Sequence, residues 1–196
     1  MRRLPFLPTV IVGLAIATMI GLGVWQLSRA REKEALLARY KTAAALPPIA
    51  WPTAPPSADK LPLFRKASVL CLEPVAAKVL AGRNSQGQSG YSHLVDCRTA
   101  AEGPGVRIDI GWSQDPTAGG RWKGGEVSGI IAPDTERHMK LVSATGLAGL
   151  AASGPPSPAD IPNNHRSYAV QWFLFAAAAL IIYALALRAR TGSRKP

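Results

Sequence analysis

A histidine beside aromatic residues stands at the start of the second of two long apolar stretches in the chain. His165, Tyr168 and Trp172 are spaced i, i+3 and i+7. A helix beginning near Asn163 or Asn164, either of which suits an N-cap, places these side chains on one stripe about 10 Å tall. A neutral imidazole is a common metal ligand. The alternative is a polar residue that hydrogen-bonds lipid headgroups or the helix start, and the sequence alone leaves both roles open.

The first apolar stretch ends in a tryptophan followed by basic residues. The segment from Gly23 to Arg29 reads Gly-Val-Trp-Gln-Leu-Ser-Arg, and Lys33 follows. Tryptophan and arginine at the end of a membrane helix are commonly interfacial anchors. On this pattern alone, Trp25 and Arg29 are expected to be interfacial anchors.

Two charge-free runs, residues 4–27 and 167–187, are each long enough for a transmembrane helix. An α-helix needs about 20 residues to cross the hydrocarbon layer, and lipid offers an unpaired backbone no partner. A cleaved signal peptide is the alternative for the first run, with a cleavage site at residues 15–17. Its apolar core would be only about 7–15 residues long, whereas this run continues well beyond that site. We therefore predict two uncleaved spans.

The excess of basic residues is concentrated towards the two ends of the chain. There are 23 Lys and Arg against 12 Asp and Glu, and all the acidic residues lie between Glu32 and Asp160. This pattern is typical of a membrane protein in contact with lipid and argues against nucleic-acid binding. Long loops are translocated largely regardless of charge. We predict a bacterial inner-membrane protein with cytoplasmic termini, a basic cytoplasmic tail at 188–196 and a periplasmic central domain.

Between the spans, the sequence predicts a helical extension and then a β-rich domain. Residues 28–45 contain strong helix formers, and a proline-rich entry then opens a domain at 46–160. Short β-type stretches separated by glycines predict a mostly antiparallel sheet or partial barrel. The fold class is an α+β membrane protein, with two transmembrane helices flanking an extracytoplasmic β domain. The predicted strands are 66–72, 75–82, 91–97, 106–112, 127–132 and 140–143.

A stripe of small residues runs along the first span. Gly13, Ala17 and Gly21 recur every four residues, and such a stripe lets helix backbones approach closely in lipid. We expect it to pack the two spans against each other, and docking against a partner protein is the alternative.

The remaining reactive side chains form no catalytic pattern. There is no nucleophile elbow, phosphate-binding loop, dinucleotide fingerprint or histidine–carboxylate metal cluster in the sequence. Asp109, Asp115 and Asp134 are single acids next to turns, and we expect them to be solvated caps. We expect the protein not to be an enzyme.

The two cysteines and the two other histidines belong to the predicted β domain. Cys71 and Cys97 are 26 residues apart, so they are either small core residues or, in an oxidising periplasm, a disulfide. His93 and His138 have no ligand-like neighbours, and we expect surface or loop positions for them.

The two ends of the central region resemble the Surfeit locus protein 1 family of cytochrome oxidase assembly factors. The resemblance rests on GVWQLSRAREK after the first span and PNNHRSYAVQWF opening the second, and the family shares two spans around one domain outside the cytoplasm. Residues 110–112 (IGW) and 127–129 (VSG) are similar to an Arg-Gly-Trp strand and a later Val-x-Gly of that family. The chain departs from the pattern at 109–110, where Asp-Ile replaces Asn-Arg, and at 166–167, where Arg-Ser replaces Leu-Gln.

The resemblance implies a protein that binds haem a transiently and delivers it to subunit I of a haem–copper oxidase, with haem a synthase as a further candidate partner. It implies the histidine as iron ligand, aromatic side chains beside the macrocycle and arginines at the propionates. The alternatives are a cofactor-free scaffold for an oxidase intermediate, and a two-span periplasmic sensor or division component. The candidate site residues are His165, Tyr168, Trp172, Trp25, Arg29 and Arg166.

Overall fold

The computed structural model describes residues 5–54, 56–57, 60–101 and 105–192, with backbone alone at 191 and 192. The chain divides into two compact units. One comprises the residues up to Leu36 together with those from Pro162 onward, and the other is Leu37–Ile161. The predicted start of the first span at residue 4 and the end of the predicted tail at 193–196 lie outside the described residues.

Two long apolar helices make up the first unit, apart from the last turns of α1, which belong to the second. Helix α1 spans Phe6–Ala43 and helix α2 spans His165–Gly192. Both are long and apolar enough to cross a membrane, and only 6% of the most apolar window of each is buried. Helix α2 begins directly after Asn164, which confirms the predicted start. The outward faces of both helices therefore present apolar side chains that a bilayer would cover.

The two helices contact each other along a seam of small residues. Its buried positions are seven residues apart in each helix, which is the repeat that keeps two packed helices in register. Near the opposite end of the pair from His165, the hydroxyl oxygens of Thr9 and Tyr183 lie 2.6 Å apart, so the helices run antiparallel. The buried seam residues are Gly23, Ala30, Ala169 and Ala176.

The predicted role of the small-residue stripe in joining the spans is wrong. Gly13, Ala17 and Gly21 are exposed, and a Cβ added to either glycine would meet nothing within 4 Å. A four-residue repeat turns about 40° around the helix at each step. It therefore drifts away from the seven-residue seam that contains Gly23.

The second unit is built on a seven-stranded mixed sheet. All six predicted strands are confirmed, and a short additional strand precedes them. The strand order is β1-β2-β6-β7-β5-β4-β3, in which β1–β2 and β5–β7 are parallel and the other four pairings are antiparallel. The strands are β1 Ile49–Ala50, β2 Lys66–Cys71, β3 Glu73–Arg83, β4 Ser89–Arg98, β5 Val106–Ser113, β6 Gly125–Asp134 and β7 His138–Ser143.

The sheet curls at the corner where β2 leads directly into β3. Only Leu72 separates β2 from β3 in the chain, although these strands lie towards opposite ends of the strand order. The Leu72 amide donates to the Arg98 carbonyl at 2.9 Å, so pairing continues through this corner. Beside it, a disulfide joins Cys71 and Cys97, whose Cα atoms are 5.6 Å apart. The domain is a mixed sheet in which antiparallel pairings outnumber parallel ones.

The buried part of the β-rich unit includes polar residues for which the sequence predicted surface positions. The side chain of His93 is buried and its Nε2 lies 2.9 Å from Ser113 Oγ, so the expected surface position is wrong. Asp109 is also buried rather than a solvated cap, and it accepts from Ser153 Oγ at 2.6 Å. Only Asp115 is an exposed cap, accepting from the backbone of Thr117. Both faces of β5 and of the middle of β4 are covered, so alternation leaves no solvent-facing position there. Hydrogen bonds compensate the burial of these polar side chains.

A buried arginine ties β4, β5 and the β6–β7 turn together. Arg107 donates to both carboxylate oxygens of Asp96, at 2.8 and 3.1 Å, and its Nη1 also bonds Glu136 and Asp134. The Asp134 carboxylate accepts hydrogen bonds from the backbone of the β6–β7 turn and so caps it. Its side chain is buried, however, and not solvated as expected. Arg107 holds the pKa of Asp96 below its usual range, and together with Lys78 it lowers the pKa of Glu136 to about 2.

Candidate functional site

A groove lies where helix α1 passes the first turn of helix α2. Its volume is about 360 Å³ and it is open on one side. The groove brings together three of the six candidate residues, from segments about 140 positions apart in the chain. The lining residues are Trp25, Arg29, Glu32, Lys33, Leu36 and His165.

The position of His165 follows from how α2 begins. Pro162 precedes the helix, and the Asn164 carbonyl accepts from the Tyr168 amide at 3.1 Å, which makes Asn164 the residue that starts the hydrogen-bonded turn. The side-chain oxygen of Asn163 is buried without a partner among the described residues, so it does not serve as the predicted cap. His165 therefore occupies the first turn, where its backbone is fixed by the helix.

A hydrogen bond to α1 fixes the imidazole. Nδ1 of His165 lies 2.7 Å from Oε1 of Gln26. An amide oxygen only accepts, so this hydrogen bond requires a proton on Nδ1, and in a neutral ring the lone pair is then on Nε2. Within the described part of the chain no group hydrogen-bonds Nε2. In a neutral ring the hydrogen bond to Gln26 favours the tautomer whose Nε2 can bind a metal.

Basic side chains stand along the α1 wall of the groove. Arg29 pairs with Glu32 at 2.8 Å, and its guanidinium lies 5.8 Å from the centre of the Trp25 ring. Lys33 lines the same wall and has no ion-pair partner among the residues described. Beside one free imidazole nitrogen, the groove thus offers an aromatic face, the Arg29–Glu32 ion pair and the ammonium group of Lys33.

The fourth candidate, Arg166, does not line the groove. It forms a two-pronged ion pair with Glu34, with N–O distances of 2.7 and 2.9 Å, and its side chain is 72% exposed. A pair this exposed contributes only about 0–1 kcal/mol. Arg166 links the two helices but is already neutralised.

The two aromatic residues of α2 also lie outside the groove. Tyr168 is half exposed. Trp172 is half-buried at the seam and meets the Phe175 ring edge-on, with 6.2 Å between ring centres. The spacing predicted one stripe for His165, Tyr168 and Trp172, and of these three only His165 lines the groove.

The sequence did not identify four lining or contacting residues: Gln26, Glu32, Lys33 and Leu36. One signal could have found Gln26, because it is the single amide side chain in the charge-free run 4–27. A buried amide needs a hydrogen-bond partner. The others lie on the part of α1 beyond the apolar run, where spacing alone does not show which face meets α2.

A larger cavity of about 580 Å³ lies in the β-rich unit, between β3 and residues 119–122. Its lining contains one histidine, His93, whose side chain is buried and whose Nε2 lies 2.9 Å from Ser113 Oγ. In the described ranges, no group of three or more His, Cys, Asp or Glu side chains could hold a metal ion. The groove beside His165 is the better candidate site.

The described chain therefore combines two helices that can span a membrane with an α+β unit between them in sequence, and this defines a membrane-associated protein. Residues 13–177 match the family model of the SURF1 family. The chain belongs to this family, which consists of oxidase assembly factors, and the resemblance found in the sequence is confirmed. A search of curated proteins found no match.

Proposed function

We propose that this protein is a non-enzymatic assembly factor that holds haem a at His165 and passes it to subunit I of a haem–copper oxidase. The observation that carries this proposal is the free Nε2 of a histidine whose Nδ1 is hydrogen-bonded to Gln26 at 2.7 Å. When bound, haem a would supply an iron that accepts an imidazole ligand.

The donor set of the groove suits a haem. Trp25 and Leu36 provide apolar surface for part of a flat macrocycle. Arg29 and Lys33 can pair with carboxylate groups at its edge. Arg29 keeps its guanidinium close to Glu32, so Lys33 is the base that can meet a propionate without giving up an ion pair. Arg166 would have to leave Glu34 to do so.

The openness of the site suits transfer. His165 is the one histidine of the groove, and the lining residues cover only one side of it. A protein that delivers a cofactor must also release it, and a single ligand with few flanking contacts lowers the barrier to release. We place this site near the periplasmic face of a bacterial inner membrane, with both termini cytoplasmic, and haem a synthase as the source of the haem.

The decisive experiment is the absorption spectrum of the full-length protein purified after co-expression with haem a synthase. We expect a haem a spectrum from the wild type and its loss in His165→Ala. His138→Ala is the matched control, because His138 is an exposed histidine of the β-rich unit and should leave the spectrum unchanged.

Two outcomes would contradict the proposal. Wild-type protein without haem a would argue against the carrier role, and if it still supported oxidase maturation it would favour a cofactor-free scaffold. Unchanged haem content in His165→Ala would reject His165 as the ligand.

A further inference from the structure

We infer that Gln26 is a positioning residue that sets the tautomer and ring orientation of His165, so that Nε2 faces the groove. This inference rests on the proposed function for its consequence, but the tautomer can be measured without haem. It adds a residue of α1 to a site that the sequence motifs centred on α2.

The location of Gln26 supports this role. Gln26 lies between the buried seam residues Gly23 and Ala30, where α1 packs against α2. A polar amide in such a seam costs free energy unless it is hydrogen-bonded. The bond that Gln26 makes is the one to His165, 139 positions away in the chain.

The amide oxygen of Gln26 can only accept a hydrogen bond, and this determines which ring nitrogen of His165 carries the proton. Without an acceptor at Nδ1, the neutral imidazole can carry its proton on either nitrogen, and the ring is free to turn about its bond to Cβ. With Gln26 Oε1 at 2.7 Å, the proton is held on Nδ1 and the lone pair on Nε2. Partners of this kind orient metal-binding histidines, and their loss typically weakens metal affinity about 10–100-fold.

Gln26→Leu removes the acceptor while keeping an apolar side chain that suits the seam. Gln26→Glu keeps an acceptor oxygen and should rescue the positioning. Gln171→Leu is the matched control, because Gln171 is an exposed glutamine of α2 that does not line the groove.

The first measurement uses full-length protein labelled with ¹⁵N-histidine in detergent, without haem. The chain has 3 histidines, so His165→Ala identifies the ring signals of His165. At a pH where the ring is neutral, we expect the proton on Nδ1 in the wild type and in Gln171→Leu, and a mixture of tautomers in Gln26→Leu. A wild-type ring protonated on Nε2, or an unchanged tautomer in Gln26→Leu, overturns the inference.

The second measurement titrates hemin into the same proteins and records the Soret band. We expect about a 10–100-fold loss of affinity in Gln26→Leu, and near wild-type affinity in Gln26→Glu and Gln171→Leu. Equal losses in the leucine and glutamate variants overturn the inference, because only one of them lacks an acceptor. If the wild type binds no hemin, the proposed function fails, and the tautomer measurement still decides the role of Gln26.

Discussion

The ring of Phe173 in α2 lies directly over Gly23 in α1. A Cβ added to Gly23 would be 2.6 Å from Cε1 of that ring. This contact, rather than the small-residue stripe at Gly13, Ala17 and Gly21, is where the absence of a side chain brings the two helices together.

Gly23→Leu should destabilise the helix pair. The Phe173 ring can swing aside for a single methyl group, so leucine is the informative change, and overpacking of this kind costs about 1–3 kcal/mol. Thermal unfolding of the detergent-solubilised protein measures the effect. Gly13→Leu is the matched control, because open space surrounds that position. Equal melting temperatures for the two variants would contradict the packing described.

The Cys71–Cys97 disulfide should stabilise the curled sheet. Removing a native disulfide from a small domain typically costs about 2–5 kcal/mol. We expect the double variant Cys71→Ala, Cys97→Ala to melt at a lower temperature than the wild type. Reductant should lower the melting temperature of the wild type towards that of the variant and leave the variant unaffected. If reductant leaves the melting temperature of the wild type unchanged, the disulfide does not stabilise the fold.

Replacing Arg107 should lower the free energy of unfolding more than replacing any other basic residue of the β-rich unit. Its side chain is 7% exposed, as is that of Asp134, so Arg107→Leu would remove the cation that pairs with the buried carboxylate of Asp134. Breaking a buried pair in this way costs about 3–5 kcal/mol. Arg98→Leu is the control, because Arg98 and its partner Glu73 are about half exposed and such a pair contributes about 0–1 kcal/mol. Urea unfolding followed by tryptophan fluorescence compares the two.

Acid should weaken the same network in the wild type. The pKa values of Asp96 and Glu136 are lowered in the folded state, so their contribution is present above the unfolded values near 4. It is lost as the pH falls, for Glu136 between the usual glutamate pKa of 4.5 and its folded-state pKa of about 2. The free energy of unfolding should therefore decrease through this range, and more steeply in the wild type than in Arg107→Leu. Parallel pH profiles for the two proteins would rule out this linkage.

Asp109 should have the opposite dependence on pH. Burial raises its pKa, so the folded state favours the protonated form, and stability is lost as the pH rises through the folded pKa. Asp109→Asn keeps an acceptor for Ser153 and removes the buried charge. Asparagine is also the residue that the family pattern has at this position. We expect it to raise the melting temperature at neutral pH and to leave it unchanged at low pH. A lower melting temperature at neutral pH would indicate that Lys140, 3.7 Å away, compensates the charge fully.

Much of the architecture could be read from local pattern. Strand positions followed from alternating β-type stretches between glycines, and the start of α2 followed from Pro162 and the asparagines after it. Strand order could not be predicted, because pairing between β2 and β6 or β5 and β7 depends on contacts distant in the chain. The buried positions of His93 and Asp109 depend in turn on that pairing.

The sequence by itself determined the two long apolar helices, the β-rich region between them and the histidine that opens the second helix, because these depend on residue type and spacing within short windows. Only the tertiary structure decided that Gln26 meets His165, that Arg166 is occupied by Glu34 and that Gly23, not Gly13, faces Phe173. These contacts depend on the rotation of each helix about its own axis. That rotation is set by how the side chains of two distant segments pack together, and neither segment contains the information alone.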